Sequence, residues 1–154
     1  MSGLSDLQFS ISDKLDNISI KLADGSVTNF DPAVVVGFNE LNYIEESEKQ
    51  ASKYIFWSEV YQYAKWVVES ENNKLDAIHA NLYNQFANNS TDKKRPTKDQ
   101  IESQIICSNS YQKQRNIVDI YTYKMGIFQS VVKALDQRKD MLIQYGAEMR
   151  KENK

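Results

Sequence analysis

The stretch from Phe38 to Phe86 contains neither glycine nor proline, and apolar residues recur along it at intervals of seven. This spacing keeps one stripe of a long helix facing a partner. A helix of about 50 residues would extend about 75 Å, so it cannot bury its own stripe and needs other helices, from this chain or from copies of it. The stripe consists of Tyr54, Tyr61, Val68, Leu75 and Leu82 on one line and Trp57, Ala64 and Ile78 on the next, with Glu71 interrupting.

A second heptad pattern predicts a last helix from Tyr111 to about Met149. Gly126 lies within it, and a glycine on such a stripe indicates close approach of another helix. Two long helices of matching period predict a mainly α fold, an antiparallel helical hairpin with coiled-coil character. The repeat comprises Tyr121, Phe128, Leu135, Leu142 and Met149, flanked by Ile120, Ile127, Val131 and Tyr145.

The segment between the two long helices has the composition of a loop followed by a short helix. Polar residues fill the loop from Asn88 to Pro96, and Thr97 stands three residues before Gln100. This is the pattern of a capping box, so we expect a helix from Lys98 to about Cys107. Residues 108–110 predict a kink or a new cap before the last helix.

Residues 1–30 differ from the rest, and we treat them as an appendage to a helical domain of residues 31–154. The alternation from Ile18 to Leu22, a turn at 23–25 and a return over residues 26–30 predict a β-hairpin, to which residues 8–11 add a third strand. Asp31 and Pro32 then form a helix-start signal.

Charge is unevenly distributed along the chain, although the formal net charge is only −2. Residues 31–92 carry four lysines against ten acids, whereas residues 93–154 carry thirteen cations against seven acids. This polarity suits antiparallel contacts and a local site for an anionic ligand. Cys107 is the only cysteine. With no basic and apolar leader, we expect a protein of the reducing cytoplasm without a membrane span.

No residue pattern indicates catalysis, a cofactor or a metal. His79 is the only histidine, so we interpret it as a partly exposed helix residue. Cys107 lies in an apolar run and is interpreted as a small buried hydrophobe. The glutamates lack the spacing of a carboxylate-bridged metal site and are assigned to a solvated helix face. We therefore expect that the chain is not an enzyme.

The densest basic cluster stands at the start of the short helix. Lys93, Lys94 and Arg95 precede Lys98, where backbone N–H groups add to the positive charge; such a place suits a phosphate. Lys113 and Arg115 follow at the start of the last helix as weaker candidates. The alternative is a loop whose charges only keep the protein in solution.

An aromatic ladder is likewise open to two interpretations, a platform for bases or a helix stripe. We favour the stripe for Tyr54, Trp57 and Tyr61 and leave Tyr63 and Trp66 open.

Three segments, Tyr63–Trp66, Lys94–Ile101 and Val131–Asp140, stand in an order that resembles the UvsY-type recombination mediators of bacteriophages. The resemblance covers about two thirds of the chain. It implies ring-like homo-oligomers, such as heptamers, that bind single-stranded DNA and help a phage or host recombinase displace the single-strand-binding protein. It also implies assembly through the last helix, for which we select Phe128, Val131, Leu135, Leu142 and Tyr145.

One departure from the family pattern concerns the late part of the first long helix. There the family's Lys-Ala-Arg-Leu aligns with residues 79–82, which hold no lysine or arginine. No DNA contact is therefore assigned to those positions. The rival hypothesis is a phage structural or inhibitory oligomer that binds a protein partner and no DNA.

Overall fold

The computed structural model describes residues 9–11, 19–22, 27–29, 31–89 and 95–152 of the 154-residue chain. Most of these residues are helical, so the predicted mainly α class is confirmed. None of the helices in these ranges is long and apolar enough to cross a membrane. The four helices are α1 (Pro32–Val36), α2 (Tyr43–Asn88), α3 (Lys98–Cys107) and α4 (Asn109–Glu152).

Three short segments before α1 have strand backbone. They are β1 (Phe9–Ile11), β2 (Ser19–Leu22) and β3 (Val27–Asn29), which pair antiparallel in the order β1-β2-β3. The structure describes the backbone of these strands only, and the predicted turn at 23–25 lies outside the described residues. The β-hairpin as an appendage to the helical domain therefore stays a prediction.

The entrance to the long helix follows from local side-chain hydrogen bonds. The backbone N–H of Ala33 donates to Asp31 Oδ1 at 2.9 Å, so Asp31 caps α1 as predicted. The stretch without glycine or proline begins at Phe38, but α2 begins only at Tyr43. The N–H of Asn39 donates to Asn42 Oδ1 at 2.7 Å, and the N–H of Leu41 donates to Asn39 Oδ1 at 2.9 Å. These bonds give the backbone an alternative to helix and delay its start.

The two long helices form the antiparallel hairpin that their repeats predict. Gln50, near the start of α2, donates to the carbonyl oxygen of Leu135 near the end of α4 (2.6 Å). Gln114, early in α4, donates to the carbonyl oxygen of Glu71 later in α2 (3.0 Å). The last helix begins at Asn109 rather than Tyr111, because the Ser108 hydroxyl accepts from the N–H of Tyr111 at 3.4 Å and provides a new cap.

The main core lies between the halves of α2 and α4 that are next to α1, and we refer to it as the base core. Trp57 stacks on Phe128 with ring centroids 6.3 Å apart, and α1 covers the cluster with Val35 and Val36. Aromatic pairs of this kind add about 1 kcal/mol to the burial of their area. The buried members of the base core are Trp57, Val60, Ala64, Phe128, Val131 and Leu135.

A buried ion network fixes α1 to both long helices at the base core. Arg138 is only 2% exposed and forms an ion pair with Glu46. It also donates to Gln50 Oε1 at 2.6 Å. Lys53 Nζ lies 2.7 Å from the same Glu46 carboxylate and 3.3 Å from the carbonyl oxygen of Val35, near the end of α1. Among the described residues, one ion pair, between Glu46 and Arg138, therefore joins the acidic first helix to the basic last helix.

One position of the predicted stripe is wrong. Tyr54 was assigned to the stripe, but it is exposed, whereas Trp57 and Ala64 on the neighbouring line are buried, as is Leu75 farther along the Tyr54 line. Gly126 was expected to allow close approach of another helix. Within the described residues of this one chain nothing lies within 4 Å of the Cβ position of Gly126, which lines an open apolar groove of about 810 Å³ between α1 and α4. The approach of a helix from a second copy stays a prediction.

Candidate nucleic-acid interface

The end of the hairpin farthest from α1 is formed by the end of α2, all of α3 and the start of α4, and we refer to it as the tip. A small second core holds it together: Ala87, Ile101 and Ile105 are buried, and Ile105 is fully so. Because these apolar positions of α3 are four residues apart, they lie on one face and leave its other faces to solvent. The tip core is packed by Leu82, Tyr83, Phe86 and Tyr111.

The start of α3 has the predicted capping box. The Thr97 hydroxyl accepts from the N–H of Gln100 at 3.3 Å, and the Gln100 side chain accepts from the N–H of Thr97 at 3.0 Å. This cap fixes Lys98 as the first helical residue. It also occupies backbone donors that a phosphate would otherwise use. Side-chain cations, more than free N–H groups, must therefore hold an anion here.

The predicted DNA-binding residues stand on both sides of α3. Lys93 and Lys94 lie outside the described residues, whereas Arg95 and Lys98 are exposed at the start of α3. The other two candidates, Lys113 and Arg115, are exposed in the first turns of α4. The ten residues of α3 span about 15 Å. If both groups of cations face the same DNA strand, they therefore contact a segment of two or three nucleotides at most.

Arg115 is a weaker candidate than the other exposed cations. Its Nε lies 3.3 Å from Asp119 Oδ1, one turn along α4. Hydrogen bonding to Asp119 raises the pKa of Arg115 above its already high ordinary value, with a smaller contribution from Tyr111. The neighbouring carboxylate offsets part of the positive field that a phosphate would feel, so Arg95, Lys98 and Lys113 remain the stronger positions.

A polar and aromatic contact that the sequence did not predict joins all three helices at the tip. His79 Nε2 lies 2.8 Å from Glu102 Oε2 of α3. The His79 ring also stacks near Tyr83 (6.4 Å) and meets Tyr111 of α4 edge-on (6.2 Å). His79 is partly exposed, as predicted. No spacing signal could have found Glu102, because the partners are 23 residues apart and meet only through the turn of the chain.

The aromatic ladder of α2 divides between packing and exposure. Tyr63 packs against the base core, while Trp66 is 42% exposed and stacks on it with centroids 5.8 Å apart. Lys65 Nζ lies 4.8 Å from the ring centroid of Tyr61, a cation–π contact on another side of the helix. The ladder therefore presents two exposed rings, Tyr54 and Trp66, which are twelve residues apart, and it does not form a row of stacking platforms.

The residues selected for assembly lie inside the single chain. Phe128 and Leu135 are fully buried, and Val131 is 2% exposed, all in the base core. Tyr145 packs edge-on against Phe38 and Tyr43. Together with Leu142, which is also buried, they stabilise the hairpin itself. Because four of the five are buried and only Tyr145 is partly exposed, a surface that joins two copies must be made mainly of other residues, which the heptad pattern did not separate from the core.

Cys107 corrects another expectation. It was interpreted as a buried hydrophobe, but it is exposed at the last position of α3. The buried positions of α3 are Ile101 and Ile105, and Cys107 falls on a different face. In the parts of the chain that the structure describes, no group of three or more metal-ligating side chains occurs.

Comparisons with known proteins give no relative. No protein-family model, no curated protein and no solved structure matches the chain. The resemblance to phage recombination mediators therefore stays a prediction from short sequence segments.

Proposed function

We propose that this protein is a phage recombination mediator that binds single-stranded DNA as a homo-oligomer and promotes recombinase loading over single-strand-binding protein. The observation that carries the proposal is the charge of the tip. Between residues 93 and 117 the chain has six cations and two acids, and the four cations that the structure describes are all exposed. Several such tips in one assembly would bind a strand far more tightly than one, through effective concentration.

The opposite end of the hairpin explains why the tip is the favoured surface. Near the start of α2 the exposed acids Glu45 and Glu48 stand beside one exposed cation, Lys49, which is paired with Glu45, and two further cations are used internally by Glu46. A polyanion would therefore find fewer available cations there than at the tip. This separation of charge along one rod favours a defined DNA position over diffuse attraction.

The test is a titration of fluorescently labelled oligo-dT at several salt concentrations. We expect binding that weakens with salt, because released counterions give a slope of about −0.7 for each phosphate neutralised on a single strand. Arg95→Glu/Lys98→Glu should weaken binding by about tenfold and flatten the slope. The matched control, Lys133→Glu/Lys151→Glu, makes the same charge change at exposed positions of α4 outside the tip and should have a smaller effect.

The rival function, an oligomer that binds a protein partner and no DNA, is favoured by one observation. Ile106 is 57% exposed on α3 beside the exposed Cys107, and an exposed apolar residue at the tip suits a protein contact. No binding of oligo-dT at low salt, or equal losses in the two double variants, would reject the mediator proposal in favour of this rival.

A further inference from the structure

One side of the hairpin has an open groove between α2 and α4 close to the base core. The groove has a volume of about 560 Å³, and its floor on α2 is made of small side chains, Ser47 and Ala51. Tyr54 and Ile55 form its edge and are 39% and 59% exposed. Ile44, three turns earlier on the same side of α2, is 61% exposed. Apolar side chains therefore surround a floor that lets another helix approach closely.

The wall of the groove on α4 carries one residue of each charge. Asp136 and Lys139 both line it, and their side chains are more than half exposed. Lys139 Nζ lies 3.8 Å from Asp136 Oδ1, one turn away, which is long for an ion pair. The pair therefore contributes little to the stability of the single chain.

These residues have a self-complementary arrangement. A two-fold rotation about an axis that is perpendicular to the helices and passes close to Gln50 relates one chain to a second copy. Each helix is then antiparallel to the same helix of that copy. The rotation brings Ile44 of one chain to the height of Ile55 of the other, because the two residues are nearly equidistant from Gln50. Since Arg138 reaches Gln50, the axis also passes between Asp136 and Lys139. Each of these then faces its opposite charge on the copy.

We propose that this groove is an interface that takes the same groove of a second copy, so that two hairpins form an antiparallel four-helix bundle. The proposal rests on the self-association put forward above and names the surface that carries it. The occupant is a copy of this chain because the charges are balanced within the groove and match themselves under the two-fold axis. A partner of one charge would meet an unfavourable residue at this wall.

The test measures the mass of the full chain by light scattering, in which one chain weighs 17.8 kDa. We expect the wild type at two chains or a multiple of two, in place of the odd-numbered heptamer that the resemblance implies. Ile55→Asp should lower the mass toward 17.8 kDa. Ile106→Asp, which changes an equally exposed isoleucine at the tip, should leave it unchanged. Helix content by circular dichroism should stay at the wild-type value in both variants, since both positions are exposed.

Charge exchange tests the proposed symmetry. Asp136→Lys alone or Lys139→Asp alone places like charges across the two-fold axis and should weaken association. The double exchange restores opposite charges and should restore the mass. A wild type of 17.8 kDa would reject both the self-association and this interface. If Ile55→Asp and the charge exchanges leave the mass unchanged, or if Ile106→Asp lowers the mass as much as Ile55→Asp does, this interface alone is rejected. Oligo-dT binding, measured separately, then decides the DNA role.

Discussion

The two ends of the hairpin are held together by different means. At the base core, six buried apolar side chains, which include the stacked Trp57 and Phe128, pack together, and the buried Arg138 with its partner Glu46 fixes α1 in place. At the tip, only three buried apolar residues and the half-exposed pair of His79 and Glu102 connect α2, α3 and α4. The base therefore supplies most of the stability of the hairpin.

The use of charge differs in the same way. Arg138 and Lys53 at the base are engaged inside the protein, so they are not offered to a ligand. Arg95 and Lys98 at the tip are exposed, and none of the ion pairs among the described residues includes them. A surface that binds an anion needs cations that the fold does not use, and the tip provides them because its small core is apolar.

The largest expected difference between the ends comes from two fully buried residues, Leu135 in the base core and Ile105 in the tip core. Leu135→Ala leaves a cavity inside a densely packed cluster and should lower the free energy of unfolding by about 3–5 kcal/mol. Ile105→Ala should cost about 2–3 kcal/mol, because α3 can move toward the smaller side chain. Urea denaturation measures both. Met141→Ala, at a 57% exposed position, is the control. A larger loss for Ile105→Ala would overturn the comparison.

The dependence of the free energy of unfolding on pH should show a larger contribution from Glu46 at the base than from Glu71 in the middle of α2. Burial opposes ionisation of Glu46, but hydrogen bonds and charges from Lys53 and Arg138 outweigh it and hold its pKa below the ordinary 4.5. Burial likewise opposes ionisation of Glu71, and contacts with Lys74 and Gln114 outweigh it, so that pKa is lowered as well. A lowered pKa in the folded state gives stability that is present above about pH 4.5 and is lost as pH falls through the folded value.

Denaturant unfolding between about pH 7 and pH 3 tests this difference. Glu46→Gln should cost on the order of 2 kcal/mol at neutral pH, because it leaves Arg138 buried without its carboxylate. It should also remove part of the acid sensitivity. Glu71→Gln should have a smaller effect, since Lys74 is 60% exposed and screened by water. Equal changes in the two variants would contradict the special role of the base network.

A gain of stability is expected at Gly126. Its Cβ position is open, and α4 is helical on both sides of it, so Gly126→Ala should raise the free energy of unfolding by about 0.5–1 kcal/mol. Thermal unfolding at low protein concentration measures the gain. Gly146→Ala makes the same change at a less open position, because a Cβ there meets the Tyr43 ring at 3.9 Å. A loss of stability at Gly126 would show that another helix does pack there, as the heptad pattern suggested.

The sequence predicted the elements of the fold well where the signal was local. The cap at Asp31, the capping box at Thr97 and the end of α3 at Cys107 each follow from residues within one turn of each other. The long helices follow from a sustained repeat. The delayed start of α2 was missed because Asn39 and Asn42 bond to the backbone, a competition that hydrophobic spacing does not register.

The partners within the fold were much harder to predict. A heptad stripe shows that a residue is covered, but it does not show whether the same chain or a copy covers it. Phe128 and Leu135 were therefore assigned to assembly, although α2 of the same chain covers them. Glu102 and Arg138 depend on partners that are 23 and 92 residues away, and only the path of the chain brings these pairs together.

The smallest expected effect concerns Cys107, which lies on the exposed side of the tip. Its thiol should react with a disulfide reagent such as DTNB in the native protein as fast as in the unfolded chain. Cys107→Ser should change the free energy of unfolding by less than about 0.5 kcal/mol, because no core contact is lost. Ile105→Ala, two residues earlier, provides the contrast within the same helix. A native thiol that reacts only after denaturation would place Cys107 in a buried contact, and the tip would then have a larger core than its three buried residues indicate.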